Sequence, residues 1–153
     1  MKASQASSAA SQKDRPYGLD ICKGCPYKER IAMNIENATQ LAEYKTVQTW
    51  LKNVHHQSPA STTSDQDRLS TLLKFCQFVE KDPDTIIAEC FRAQKEGDEW
   101  KHIKFKVRRS YSATIKQVED ELFGGGVVGQ QQGNIIRSFF IHNGVFMQAE
   151  PLL

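Results

Sequence analysis

The spacing of the apolar residues constrains this chain most. Ile103, Val107, Tyr111, Ile115, Val118 and Leu122 recur every three or four residues, the period of one face of an α-helix. Nowhere does apolar and polar alternation last long enough to build a sheet. The expected architecture is therefore all-α, a bundle of four to five helices around one apolar core.

The first expected helix runs from Glu36 to Val54, with Ala38, Leu41, Ala42, Val47, Leu51 and Val54 on one face. A second starts after Ser64, whose hydroxyl forms a capping pair with Asp67, and turns Leu69, Leu72, Leu73, Cys76 and Val79 inward. Asp82-Pro83 opens a third, with Asp at the cap and Pro in the first turn where no amide donor is needed. Its inward residues are Ile86, Ile87, Cys90 and Phe91. The fourth spans Glu99 to Phe123. The stretch from Gly124 to Gly133 reads as a flexible connection, because each glycine inside a helix costs about 1 kcal/mol relative to alanine. A fifth helix, Asn134 to Asn143, ends at Gly144 as a left-handed cap.

Outside this helical domain, residues 36–145, the composition changes. Residues 1–14 are rich in Ala, Ser and Gln, lack an apolar period and read as a disordered tail. Residues 15–35 carry Pro16, Gly18, Gly24 and Pro26 around two cysteines, a turn-rich leader, and residues 146–153 form an extended C-terminal segment. A length of 153 residues suits one domain. No run of about 18 apolar residues predicts a membrane span, and the start lacks the apolar core of a secretory signal, so a cytoplasmic location is expected.

Net charge is only +2, from 20 Lys and Arg against 18 Asp and Glu, but its distribution is uneven. Lys101, Lys104, Lys106, Arg108, Arg109 and Lys116 follow one another without an intervening carboxylate, after a stretch holding Glu80, Asp82, Asp84, Glu89, Glu96, Asp98 and Glu99. Such segregation lets a nearly neutral protein present a positive surface to phosphates. A solvated helix face beside acidic neighbours produces the same pattern. On a helix, Lys101, Arg109 and Lys116 fall opposite the apolar line, with Lys104 and Arg108 on its flank.

Cys22-Lys23-Gly24-Cys25 is the sharpest local motif, since two thiolates at this spacing can share a tetrahedral metal. A closed site needs two further ligands. Cys76 and Cys90 lie on apolar faces, and the adjacent His55 and His56 cannot easily meet one ion, so Cys22 and Cys25 read as reduced thiols in a turn and no metal or cofactor is expected. The glycines at 124–126 lack the preceding strand and following Lys-Ser/Thr of a phosphate loop. Glu119, Asp120 and Glu121 point in different directions around a helix and read as a solvated turn rather than an acid pair.

Two segments, Leu69-Ser70-Thr71-Leu72-Leu73-Lys74-Phe75-Cys76-Gln77-Phe78 and Ile135-Ile136-Arg137-Ser138-Phe139-Phe140, together with Lys81-Asp82-Pro83-Asp84-Thr85-Ile86-Ile87 between them, resemble the N-terminal core-binding domain of phage-type integrases, the tyrosine recombinases, in particular their archaeal branch. The resemblance spans about Glu36 to Val145. It implies a SAM-like orthogonal bundle that grips double-stranded DNA in integration or recombination, with Lys74, Arg137 and the basic helix facing the duplex. In that family a separate catalytic domain carries a C-terminal tyrosine nucleophile. Tyr17, Tyr27, Tyr44 and Tyr111 all lie within or before the helical domain, so the expectation is a non-catalytic DNA-binding domain, either a piece of a longer integrase or an independent binder that works with a recombinase catalytic partner. Two other readings of the residues stay open: a helical protein-interaction module whose basic stripe receives an acidic partner, and a zinc- or redox-linked regulator using Cys22 and Cys25.

Overall fold

Asp84 belongs to one helix and caps another, and that contact sets the first feature of the fold. A computed structural model of the protein describes residues 35–148, all within a single compact unit. They form six helices: α1 (Ala38–Leu41), α2 (Lys45–Gln57), α3 (Asp65–Val79), α4 (Pro83–Glu89), α5 (Phe105–Glu121) and α6 (Gly126–His142). The segment expected to be one helix from Glu36 to Val54 is thus two. Tyr44 is extended at φ −69° and ψ 136°, and the Asp84 carboxylate accepts from the Thr46 amide at 3.0 Å and from its hydroxyl at 2.7 Å. A carboxylate at a helix N-terminus satisfies free amides and opposes the helix dipole.

The expected start signals are present. Ser64 Oγ accepts from the Asp67 amide at 3.1 Å, and Asp82 accepts from the Thr85 amide at 2.8 Å, with Pro83 opening α4. Gly144, at φ 85°, donates to Ile141 O, and Val145 donates to Phe140 O, closing α6 in the left-handed manner expected.

The glycine-rich stretch departs most from expectation. Gly124, Gly125 and Gly126 turn the chain at φ of 77°, 68° and 63°, a backbone closed to other residues without strain. The segment from Gly126 onward is then helical, as the first half of α6. Gly129 and Gly133 let α6 approach α5: a Cβ at Gly129 would stand 2.7 Å from the Glu119 carbonyl, and one at Gly133 would overlap the Glu119 carboxylate. Lost helix propensity is offset by close packing.

α6 is the central element, packed against α5, α3 and α2. A chain of rings marks the core: Trp50 meets Phe139 edge-on at 5.6 Å, Phe139 meets Phe140 at 5.6 Å, and Phe140 meets Tyr111 at 5.4 Å and Phe75 at 6.0 Å. Trp50 Nε1 donates to Ser138 Oγ at 3.1 Å, which satisfies the indole inside the core. Among the described residues there is no strand, only an isolated antiparallel bridge between Phe91 and Ile103, and no helix is long and apolar enough to cross a membrane. The expected tail 1–14, nearly all of the leader 15–35 with Cys22 and Cys25, and residues 149–153 of the C-terminal segment lie outside the described residues.

Candidate nucleic-acid interface

The basic segment is built differently from the uninterrupted helix expected between Glu99 and Phe123. Residues 99–104 are not helical, and backbone pairing with the residues that follow α4 holds 102–104 extended. The Arg92 amide donates to His102 O at 2.8 Å, and the Lys104 amide to Cys90 O at 2.7 Å. α5 therefore starts at Phe105, with Lys104 as its cap residue and no side-chain cap. The pairing also lays Arg92 beside the basic run, a cation the linear pattern leaves apart.

Lys101, Lys104, Lys106 and Arg109 are exposed and Arg108 is half-buried. Among the described residues none of the five makes an ion pair with a carboxylate. Two lie on aromatic rings instead: Lys101 Nζ is 5.5 Å from the centre of the Phe91 ring, and the Arg108 guanidinium 5.2 Å from that of Phe105. The loop before them is tied back on itself, since Asp98 accepts from the Lys95 amide at 3.0 Å and the Asp98 amide donates to Lys95 O at 3.0 Å. Two large aromatics stand out within this segment, Trp100 at 76% exposure and Phe105 at 62%. Both fall off the apolar line of the helix expected over Glu99 to Phe123, which hides them from a helical pattern; their position beside cations is the signal that marks them.

The remaining expected DNA-facing residues do not join this group. Arg137 is 2% exposed and Glu119 1%, and Arg137 Nη1 donates to Glu119 Oε1 at 2.6 Å and to Asn134 Oδ1 at 3.1 Å. Arg137 is thus a core residue with no surface to offer a phosphate, and Glu119 is its buried counter-ion rather than part of a solvated turn. The cause is the slot opened by Gly129 and Gly133, which admits the Glu119 side chain between α5 and α6. Lys116 Nζ lies 3.3 Å from the other Glu119 oxygen, so its charge is partly matched within the molecule. Lys74 is exposed with Nζ 5.4 Å from the centre of the Phe123 ring. It lines an open groove of about 720 Å³ with Thr71, Gln132 and Asn134. Phe123 follows the C-terminal end of α5, so Lys74 is separated from the Lys101–Arg109 group by most of the length of that helix, about 20 Å.

The buried titratable groups around the core are inert or structural. Burial pushes the Cys76 thiol far up and the Cys90 thiol up to about 11, with Cys90 Sγ donating to Ile86 O at 3.3 Å. Neither presents a thiolate at neutral pH. Tyr111 Oη donates to Glu89 Oε2 at 2.6 Å, and burial together with that carboxylate raises its pKa, so this phenol is a poor nucleophile. Burial also works to raise the Glu89 pKa, but hydrogen bonds from Lys81 and Tyr111 and the charges of Lys81 and Lys104 outweigh it and leave it lowered. No cluster of three metal-ligating side chains occurs among the described residues.

In comparisons with known proteins, no family model, curated protein or solved structure matches this chain.

Proposed function

We propose that this chain is a non-catalytic, double-stranded DNA-binding helical domain, used in the manner of the core-binding half of a tyrosine recombinase in DNA integration or recombination, with the strand chemistry left to a separate catalytic domain. The observation that carries the reading is the group Lys101, Lys104, Lys106, Arg108 and Arg109, five cations without an ion-pair partner among the described residues at the start of α5. Their placement does not serve the helix. Cations near a helix N-terminus are disfavoured by about 0.3–1 kcal/mol each at low salt, and α5, unlike α3 and α4, has no acid in its first turn to oppose them. An external polyanion supplies the missing counter-charge.

Duplex binding by such a group releases counterions, so affinity falls steeply with salt. The test is a fluorescence anisotropy titration of a labelled duplex between 50 and 200 mM salt. For five neutralised phosphates the slope of log affinity on log salt is about −4.5, and charge reversal at Lys104, Arg108 and Arg109 together flattens it and weakens binding across sequences. A salt-independent affinity, or none near physiological salt, refutes the reading.

A further inference from the structure

Three side chains of the exposed aromatic class remain on the described surface, Trp100, Phe105 and Phe146, and two of them bracket Lys101 to Lys104. A phosphate-gripping surface for continuous duplex has no use for this. Bases in a duplex are stacked on one another, and their faces are closed to a side chain. Unpaired bases offer a free π-face, and aromatic platforms set among cations are how proteins hold single strands.

The geometry suits that use. Trp100 and Phe105 are five residues apart, so their Cα atoms are no more than about 17 Å from one another. That is the length of about five stacked nucleotides at 3.4 Å each. Lys101 and Lys104 fall between the two rings along the chain, and Arg109 and Lys116 share the solvent face of α5 with Phe105. The Phe91–Ile103 bridge and the amide of Lys104 on Cys90 O hold the backbone just before Phe105, which reduces the ordering that this platform needs on binding. Arg108 lies over one face of the Phe105 ring, and the residue stays 62% exposed.

We propose that Trp100 and Phe105 stack on unpaired bases, so that this surface prefers DNA in which a single-stranded segment adjoins the duplex. The proposal rests on the DNA-binding reading and specifies which DNA it takes.

The test uses the full chain with three labelled probes, a blunt 20-base-pair duplex, the same duplex with an eight-nucleotide single-stranded arm, and a 20-nucleotide single strand. The armed duplex is expected to bind at least tenfold more tightly than the blunt one. Trp100→Leu and Phe105→Leu, which keep apolar area but remove the ring, each lose about tenfold on the armed and single-stranded probes and less than twofold on the blunt duplex. Trp100→Phe restores most of the loss, and because Trp50 is buried, quenching of the native protein by the single strand reports Trp100. Equal affinity for armed and blunt duplex, with unchanged binding in the leucine variants, overturns the stacking proposal while leaving the DNA-binding reading intact. Binding to none of the three probes overturns both. Trp100-dependent binding to vesicles of phosphatidylserine and phosphatidylcholine, with no preference for the armed duplex, assigns the surface to a membrane and also overturns it.

Discussion

Arg137 lies in the core with Glu119 as its partner, and its energetics follow from that position. A buried charge deprived of its partner costs roughly 3–5 kcal/mol, a large part of the 5–15 kcal/mol that holds a domain folded. Glu119→Leu, which takes the carboxylate away from buried Arg137 and leaves it Asn134 Oδ1, is expected to lower urea-unfolding stability by up to about that amount, and adding Arg137→Met to recover most of it, since well-packed apolar pairs replace buried ion pairs at little cost. Losses that simply add refute the coupling. Glu89 predicts a pH effect. Its pKa is lowered in the folded state, so its contribution is present above the ordinary value of 4.5 and is lost as pH falls through the lower folded value. Unfolding curves of the native protein and Glu89→Gln are therefore expected to differ at neutral pH and to converge in acid below that value; a gap that persists there refutes the linkage.

At the scale of elements, the caps Ser64, Asp82 and Gly144 were legible because each acts within three or four residues of itself. The break before α2 and the start of α5 were not. One is set by Asp84, 38 residues from Thr46, and the other by pairing between residues near Phe91 and Ile103. α6 shows the same contrast with a sign that decides it. Propensity alone says that Gly133→Ala stabilises a helix by about 1 kcal/mol, whereas the new Cβ overlaps the Glu119 carboxylate, and overpacking costs about 1–3 kcal/mol. Gly133→Ala is expected to destabilise, and a raised melting temperature refutes the close approach of α5 and α6.

For the whole molecule, the positive surface is local to one end of α5. Lys74 lies about 20 Å from it along α5, beyond the ~10 Å over which exposed charges interact at 0.1 M salt. Lys74→Glu is expected to change DNA affinity by less than twofold at that salt, and Lys104→Glu by fivefold or more; equal losses extend the contact along the full helix. The helical class, the apolar faces and the segregation of charge were determined by the sequence alone, because period, capping chemistry and charge order act between near neighbours. That Arg137 is buried, where α2 and α5 begin, and that Trp100 and Phe105 stand exposed among the cations were decided only by the tertiary structure. Each of those outcomes depends on a partner brought close by packing: Glu119 against α6, Asp84 against α2, and Cys90 and Phe91 against the segment before α5.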